Sequence, residues 1–253
     1  MVRHSICITH YNNGPTVSAS LQSIISQIDH TYEIVVVDNM SDDGSEVVLR
    51  EFASEGKIKL IVERCSRGVG RQIAFENATG EYIIANLDMD DTFKQELPEF
   101  LKFYHDKCEG KLLLATADKE RWSQNITLGP RSLIADLGGW RDLQWGEDWD
   151  LWRRAGRRGA YRWTTFSLAQ GINLHEERRR ARVKLRQRYA RYRDMLRLGR
   201  DIFSPGERVS ASQRAIARLA RLTSPFYRSY NDGLGPFDPY DSSCYLVPDM
   251  GGS

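Results

Sequence analysis

Three carboxylates stand within four positions where an apolar run of the sequence ends. Residues 83–91 read IIANLDMDD, which places Asp88, Asp90 and Asp91 directly after a stretch with the pattern of a buried strand. Like charges at this spacing repel, and each prefers to take up a proton unless a cation lies among them. A cap for the following helix would account for one of these residues but not for three. The strand-end aspartates, as we name these three residues, therefore indicate a cation site.

Five short apolar runs rich in Ile and Val are typical of strands buried on both faces of a parallel sheet. They cover residues 4–9, 32–38, 57–62, 81–87 and 111–116. Helical patterns lie between them; they start at Pro15, and end at Gly56 and Gly80. Strands that alternate with helices of this length predict right-handed βαβ units and an open, twisted, mostly parallel α/β sheet flanked by helices.

The ends of these strands carry polar and aromatic residues. Thr9 and Tyr11 follow the first strand and Asp38 ends the second, while the strand-end aspartates follow the fourth. Ligands of open α/β sheets bind outside the carboxyl ends of the strands, so these residues should meet at one edge. A ring that stacks on a base, a carboxylate that accepts a hydrogen bond and a metal that binds a diphosphate together outline a nucleotide site.

Composition and length favour a globular protein. The chain has 253 residues, of which 41% are hydrophobic, enough for one large domain or for a domain of about 200 residues with an appendage. No run approaches the roughly 18 apolar residues of a membrane-spanning helix, and the first residues lack the layout of a secretory signal. We therefore expect a soluble, cytoplasmic protein, or one that is peripheral to a membrane. The four cysteines are widely separated and predict neither a zinc site nor disulfides.

The later part of the chain is strongly basic. Residues 151–200 contain 16 Lys and Arg against 3 Asp and Glu. A helical pattern from Glu176 onward carries an apolar stripe made of Leu185, Tyr189, Tyr192 and Leu196. This stripe could pack on the preceding domain, on a second subunit or on a bilayer, where arginines would attract anionic lipid. Since only the tail is basic, we do not expect binding to nucleic acid.

Four segments in this order resemble the family 2 glycosyltransferases of the GT-A fold. They read ITHYNNGPTVSASLQSI, EIVVVDNMSDDGS, GVGRQIAFENATGEYIIANLDMDD and LGGWRDLQWGEDWDLW. The resemblance covers about residues 3–177 and implies a nucleotide-sugar donor, a divalent cation and inversion at the anomeric carbon. It also implies a catalytic domain over 1–177, with a nucleotide-sugar-binding half (1–116) and an acceptor-side half (117–177). A basic helical C-terminal extension and tail (178–253) would follow.

The resemblance assigns the residues that bind the nucleotide. Thr9 and Tyr11 stand where the family's first loop lines the nucleobase pocket. Asp38 occupies the position of a carboxylate that binds the base or the ribose. Arg71 takes the family's basic position and would contact the base region or a phosphate, with Arg67 as the competing candidate.

The strand-end aspartates match the family's Asp-x-Asp-Asp pattern. Asp90 would bind the metal, Asp91 would be an alternative or additional ligand, and Asp88 would contact ribose or sugar hydroxyls, although the order within the three stays open. Oxygen ligands favour Mg²⁺ or Mn²⁺, which take their other ligands from phosphate oxygens and water. His175 stands where many members carry a late histidine that reaches the metal or the diphosphate.

A second group of three acids stands in the run GEDWDLW. We name Glu147, Asp148 and Asp150 the helix-start acids, because acidic residues there suit the first turn of a helix that begins near residues 145–147. By resemblance Asp148 is the general base, Glu147 holds Asp148 or the acceptor, and Asp150 is a residue of the helix. Sugar stacking and ordinary core packing both remain open for three tryptophans, Trp140, Trp145 and Trp149.

These expectations combine into one function. The chain would transfer a single sugar from a nucleotide-diphosphate sugar, with UDP-sugars favoured over GDP-mannose, to a hydroxyl of a glycan or lipid-linked acceptor. One alternative is a nucleotidyltransferase, but the residues after the first strand, THYNNGPT, lack its basic, Gly-rich phosphate loop. The other alternative is a non-catalytic module that binds nucleotide sugars or membranes.

Overall fold

The computed structural model describes residues 2–116, 125–171, 181–203, 207–233 and 237–248. The first part contains β1 (His4–His10), α1 (Val17–Ile25), β2 (Tyr32–Asp38), α2 (Ser45–Ser54), β3 (Lys59–Val62), α3 (Arg67–Glu76), β4 (Tyr82–Ala85), β5 (Asp91–Phe93), α4 (Leu97–Lys107) and β6 (Leu112–Thr116). The later part contains β7 (Ile126–Pro130), α5 (Arg131–Asp136), α6 (Glu147–Arg157), β8 (Tyr161–Thr165), β9 (Ala169–Gly171), α7 (Ala181–Arg197) and α8 (Ala211–Thr223).

A seven-stranded sheet in the order β3-β2-β1-β4-β7-β6-β8 forms the centre of the molecule. All neighbouring strands are parallel except β7, which runs antiparallel to both β4 and β6. Helices flank the sheet, so the predicted open, mostly parallel α/β architecture is confirmed. Outside this sheet, β5 pairs with β9 in a small antiparallel ribbon.

Two apolar clusters cover the two faces of the sheet. Ile6, Ile8 and Val36 belong to one cluster, whereas Cys7 and Val35 belong to the other. Because alternate side chains of a strand point to opposite faces, strands that are covered on both faces need apolar residues at nearly every position. This explains why the sequence shows continuous apolar runs in place of an alternating pattern.

The sequence placed the end of α3 too late. We expected this helix to end at Gly80, but it ends at Glu76 with Asn77 as its C-cap. Gly80 instead lies against β1, where a Cβ atom would come within 2.6 Å of the Ser5 Oγ. The glycine therefore permits close approach of two backbones and does not terminate the helix.

The apolar stripe of α7 packs mainly on protein. Tyr192 is buried in a small cluster with residues of α8, and the Tyr189 hydroxyl lies 2.7 Å from the Thr223 Oγ1 at the end of α8. Leu185, in contrast, is 54% exposed. Further along the chain, the Leu246 amide donates to the Trp163 carbonyl of β8, so the last described residues return to the sheet edge. Among the described helices, none is both long and apolar enough to cross a membrane.

Candidate active site

A cleft of about 740 Å³ opens at the carboxyl ends of β1 and β2. Thr9 and Tyr11 from the end of β1, Asn39 after β2, and Asp88 and Asp90 after β4 line it. The strand ends thus meet at one edge, as expected for a parallel sheet. The cleft also includes three residues of α7, namely Arg186, Gln187 and Ala190.

The loop that follows β1 is fastened to the loop that follows β2. The Asn12 side-chain amide donates to Asp42 Oδ1 at 2.8 Å, and the Asp42 backbone amide donates back to Asn12 Oδ1 at 3.0 Å. The Gly14 amide donates to Asp43 Oδ2 at 2.7 Å. Between these anchors Tyr11 remains 56% exposed, so its ring is available for stacking.

Asp38 is fully buried behind this edge of the cleft. Its carboxylate accepts hydrogen bonds from the Ser41 backbone amide at 3.0 Å and from the Ser41 hydroxyl at 2.5 Å. The neighbouring Asn39 lines the cleft, and its Oδ1 accepts from the Cys65 amide at 2.9 Å. Asp38 therefore supports the loop, and Asn39, which sequence reasoning missed, is the polar side chain of the β2 end that borders the cleft.

The strand-end aspartates diverge after β4. Asn86 adopts a left-handed conformation with φ 70°, and the Asp91 amide donates to the Asp88 carbonyl at 3.2 Å. This tight turn leaves Asp88 and Asp90 in the cleft and sends Asp91 into β5, where it pairs with Gly171. Within the described part of the chain, no three His, Cys, Asp or Glu side chains gather closely enough to form a complete metal cage.

The electrostatics of these aspartates fit a divalent cation. Enclosure in the cleft raises the pKa of Asp88, although Arg71 and Arg67 oppose that shift. Burial and the nearby Asp90 raise the pKa of Asp91 to about 6. No described Lys or Arg lies within 4.0 Å of the three carboxylates, so a cation would relieve their repulsion. One or two carboxylates with further ligands from a diphosphate suit Mg²⁺ or Mn²⁺. His175 lies outside the described residues.

Asp148 is held on two sides at the start of α6. Its Oδ1 accepts from the Trp140 indole Nε1 at 2.9 Å, and its Oδ2 lies 2.9 Å from the Arg71 Nη2. The side chain keeps 16% exposure. The Asp148 carboxylate is thus fixed in orientation and partly open to solvent, next to the cleft but not among its lining residues.

Arg71 joins the two carboxylates at the start of α6. Besides Asp148, it contacts Glu147, whose Oε1 lies 3.3 Å from the Arg71 Nη2. Glu147 is buried, and this burial together with the Asp148 charge raises the pKa of Glu147 to about 7. Arg71 is itself only 5% exposed, whereas Arg67 is exposed and lines the cleft. Of the two arginines, Arg67 is the one that lines the cleft.

The contact between Arg71 and the helix-start acids depends on a glycine in α3. A Cβ atom at Gly68 would lie 2.0 Å from the Arg141 carbonyl oxygen, and the Gly68 amide donates to the Leu143 carbonyl at 2.9 Å. The first turn of α3 therefore packs directly on the loop before α6. This close approach brings Arg71 to Glu147 across 76 residues of sequence.

Asp150 anchors α6 from inside the protein. It is fully buried, and Arg153 and Arg154 approach it at 3.3 and 2.9 Å. Trp140 and Trp149 are buried, so core packing describes both, and Trp140 has the added role of a donor to Asp148. Sequence reasoning missed that hydrogen bond, because only the fold brings the indole to the carboxylate.

One buried aspartate sets the position of α7. Asp194 accepts from the Gln144 amide at 2.7 Å and from the Trp145 amide at 3.2 Å, both in the loop before α6. This link holds α7 beside the cleft, where Arg186 forms part of the wall. Sequence reasoning also missed Arg186 and Gln187. In a helix with many arginines, the sequence does not indicate which of them lines a cleft formed by distant parts of the chain.

Comparison with known proteins gives the family. The profile of glycosyl transferase family 2 matches residues 5–126. Residues 5–126 belong to glycosyltransferase family 2. One relative in this family is the UDP-Glc:alpha-D-GlcNAc-diphosphoundecaprenol beta-1,3-glucosyltransferase WfgD of Escherichia coli, 36% identical over 89 residues, which are 34% of either chain. Another is the putative teichuronic acid biosynthesis glycosyltransferase TuaG of Bacillus subtilis, 28% identical over 36% of this chain and 37% of the relative. The chain thus spans about a third of the length of these relatives.

Solved structures of two sugar-nucleotide-bound proteins share the fold. TarS of S. aureus in complex with UDP-GlcNAc superimposes with a TM-score of 0.56 at 17% identity, over 92% of this chain and 75% of TarS. The mannosyltransferase PcManGT of Pyrobaculum calidifontis, in complex with GDP-Man and Mn²⁺, gives 0.56 at 20% identity, over 88% and 71%. The expected GT-A fold is therefore confirmed.

Proposed function

We propose that this chain is a metal-dependent, inverting glycosyltransferase that moves one sugar from a nucleotide-diphosphate sugar to a hydroxyl group. The observation that carries the proposal is the position of Asp148. Its carboxylate is held by Trp140 and Arg71 beside a cleft whose wall includes Asp88 and Asp90. A proton acceptor would therefore lie next to the site for a metal-bound diphosphate, near enough for the Asp148 charge to raise the pKa of Asp88.

The donor would bind at the strand ends. Tyr11 offers a ring to the base, while Thr9 and Asn39 offer polar groups nearby. Asp90, with Asp88 or Asp91, would hold Mn²⁺ or Mg²⁺, which when bound supplies Lewis acidity to the departing diphosphate. UDP-sugars are favoured, because WfgD is named for UDP-Glc and TarS binds UDP-GlcNAc in its structure. GDP-mannose is the alternative donor, because PcManGT binds GDP-Man.

The transfer step assigns roles to the residues at the start of α6. The acceptor hydroxyl loses its proton to Asp148 as its oxygen bonds to the anomeric carbon, while the bond from that carbon to the diphosphate breaks. Attack opposite the leaving group inverts the configuration. Arg71 and Trp140 fix the orientation of the Asp148 carboxylate, and Glu147 contacts the Arg71 guanidinium. A positioned base of this kind contributes roughly 10²- to 10⁴-fold.

The proposed acceptor is a glycan or a lipid-linked saccharide. The relative WfgD acts, by its name, on a diphosphoundecaprenol-linked sugar. A lipid-linked acceptor would place the enzyme at a membrane surface, with the cleft facing it. The finer choice of acceptor depends on the variable part of the chain beyond residue 126, where the family match ends.

A donor panel tests the proposal. Thermal unfolding would be followed with UDP-, GDP- and dTDP-sugars, each with Mn²⁺ or with a chelator. A ligand at 100 times its Kd stabilises by about 2.7 kcal/mol, and we expect this with one base and only when Mn²⁺ is present. UMP, which lacks the diphosphate, serves as the control and should show no dependence on Mn²⁺.

Two outcomes of that panel, and two outcomes of a transfer assay with NMR of the product, would contradict parts of the proposal. If no nucleotide sugar raises the unfolding temperature, the chain is not a glycosyltransferase of this type. Equal stabilisation with chelator and with Mn²⁺ would exclude a role for the metal in donor binding. Binding without hydrolysis or transfer to any glycan acceptor would leave a nucleotide-sugar-binding module, and NMR of a product with retained anomeric configuration would exclude the inverting mechanism.

A further inference from the structure

The outward face of α8 combines arginines with exposed apolar side chains. With 3.6 residues per turn, Arg214, Arg218 and Arg221 form one row along the helix, and Ala215, Leu219 and Leu222 form the adjacent row. Both rows lie opposite the buried residues Ile216, Ala217 and Ala220. The helix contains no acidic residue, and none of its arginines forms an ion pair with a described side chain.

The exposure of the apolar row is unusually large for leucines in a helix that has a buried side. Leu219 and Leu222 are 52% and 66% exposed. Phe226, in the short turn that follows the helix, is 85% exposed. We call Arg214, Arg218, Arg221, Leu219, Leu222 and Phe226 together the α8 face. Several exposed apolar side chains beside cations mark an interaction surface more often than does a single exposed leucine.

The α8 face lies across α7 from the cleft. The end of α8 is joined to α7 by the hydrogen bond between the hydroxyls of Thr223 and Tyr189. The next residue of α7, Ala190, lines the cleft, as does Arg186 one turn earlier. Because the α8 face points away from α7, the thicknesses of both α7 and α8, about 10 Å each, separate it from the cleft.

We propose that the α8 face docks on an anionic lipid bilayer. Leucine and phenylalanine side chains would enter the boundary between headgroups and acyl chains, and the arginine row would lie among anionic headgroups, which is how amphipathic helices bind in the plane of a membrane. The opposite charges of arginine and lipid favour this occupant over a second copy of the chain. In a two-fold symmetric dimer the same arginine row would meet itself and repel.

This surface differs from the one that the sequence indicated. The apolar stripe of α7 was one candidate for bilayer contact, but its Tyr192 is buried against α8. Docking through α8 would hold the cleft two helix diameters, about 20 Å, from the membrane surface. The proposal concerns vesicle binding and stands whether or not the chain transfers sugars.

Co-sedimentation with vesicles tests the α8 face. Wild-type protein would be mixed with phosphatidylcholine vesicles that either contain or lack phosphatidylglycerol. We expect binding to the anionic vesicles that weakens with salt, and at least tenfold weaker binding to the neutral ones. Leu222→Ser with Phe226→Ser, and separately Arg218→Glu with Arg221→Glu, should each reduce binding to anionic vesicles at least tenfold.

Matched variants elsewhere on the surface control for general changes in polarity and charge. Val47→Ser removes a side chain that is 62% exposed on α2, and Arg157→Glu with Arg158→Glu reverses two exposed charges at the end of α6. Both should bind anionic vesicles like the wild type. Because all substituted side chains are on the surface, the thermal unfolding midpoint and the response to nucleotide sugars should stay unchanged.

Three results would overturn the inference. The first is a wild type that stays in solution with anionic vesicles. The second is undiminished vesicle binding by either α8 variant. The third is a concentration-dependent dimer in light scattering that Leu222→Ser with Phe226→Ser abolishes, which would assign the surface to a second copy. Vesicle binding without any response to nucleotide sugars would instead refute the proposed function and would still support membrane docking by the α8 face.

Discussion

The strand-end aspartates and the helix-start acids have nearly the same spacing but opposite surroundings. Each group places three carboxylates within four positions. At the end of β4, no described Lys or Arg pairs with Asp88, Asp90 or Asp91 within 4.0 Å. At the start of α6 each acid has an arginine partner: Arg71 for Glu147 and Asp148, and Arg153 and Arg154 for Asp150.

This difference assigns separate tasks to the two groups. The helix-start acids are already neutralised by the protein, so their geometry is set before any ligand arrives. The strand-end aspartates still repel one another, and a cation that binds together with the substrate would neutralise this repulsion. We therefore expect loss of an acid in the first group to affect the transfer step or stability, and loss of an acid in the second group to affect donor binding.

The largest effect is expected for Asp148→Asn. The amide keeps the shape of the side chain but cannot accept the proton of the acceptor hydroxyl, so the transfer rate should fall by roughly 10²- to 10⁴-fold. Donor affinity should be unchanged, as measured by titration of the nucleotide sugar. Asp136→Asn, on the exposed side of α5, is the control. Turnover close to that of the wild type would exclude Asp148 as the general base.

Arg71→Met should lower stability by about 3–5 kcal/mol, because it leaves two carboxylates at the buried start of α6 without their shared cation. Urea unfolding measures this loss. Adding Glu147→Gln to the same chain should recover part of it, since one of the two unpaired charges disappears. Arg67→Met is the comparison variant: the Arg67 Nε lies 3.7 Å from Glu147 Oε1, but this arginine is 50% exposed, so its loss should cost less than about 1 kcal/mol. Equal stability of both single variants would contradict the proposed coupling.

Asp90→Ala should act on the donor and not on the fold. Loss of even an outer partner of a metal ligand typically costs roughly 10- to 100-fold in metal affinity, and we expect a loss of at least that size in the Mn²⁺-dependent part of nucleotide binding. Titration of the nucleotide with Mn²⁺ and with chelator separates this part. Asp106→Ala, on the exposed side of α4, should bind like the wild type. A metal response that survives in Asp90→Ala would place the cation elsewhere.

The smallest effect is a change in pH dependence at Glu147. Burial and Asp148 raise the pKa of Glu147 to about 7 from its ordinary value of 4.5, so the folded state binds more protons than the unfolded state in this range. The free energy of unfolding should therefore decrease as pH rises from about 4.5 to 7, by at most about 1.4 kcal/mol per pH unit. Glu147→Gln should flatten this slope and Glu99→Gln should not. Identical slopes in urea titrations of all three proteins would refute the assignment.

The donor side of the cleft could be predicted well from the sequence. The five predicted strands are present, and the residues at the ends of β1 and β4 line the cleft because parallel strands must end at one edge. Local patterns were enough there, since each polar residue directly follows its own apolar run. The strands β7 and β8 escaped prediction because β7 joins the sheet antiparallel and both follow a loosened pattern.

The opposite side of the cleft could not be predicted in the same way. The roles of Trp140 and Arg71 depend on contacts with Asp148 that only the folded chain creates, across 8 residues for Trp140 and from a different helix for Arg71. Asp38 has the expected position at the end of β2, but it is fully buried with its carboxylate bonded to Ser41, and its neighbour Asn39 lines the cleft. A residue type at a strand end predicts the edge it occupies but not which way its side chain faces.

The hydrogen bonds from Asp194 to the Gln144 and Trp145 amides have a consequence for the order of folding. A chain synthesised from its N-terminus folds its early part first. The strand β1, which carries Thr9, and the strand β4, which precedes Asp90, can both join the sheet by the time residue 130 has emerged. The loop before α6, in contrast, lacks its acceptor until Asp194 follows 50 residues later. At the elongation rates of about 5–20 residues per second, a nascent chain would hold a nearly complete donor edge for several seconds before α7 closes the cleft beside it.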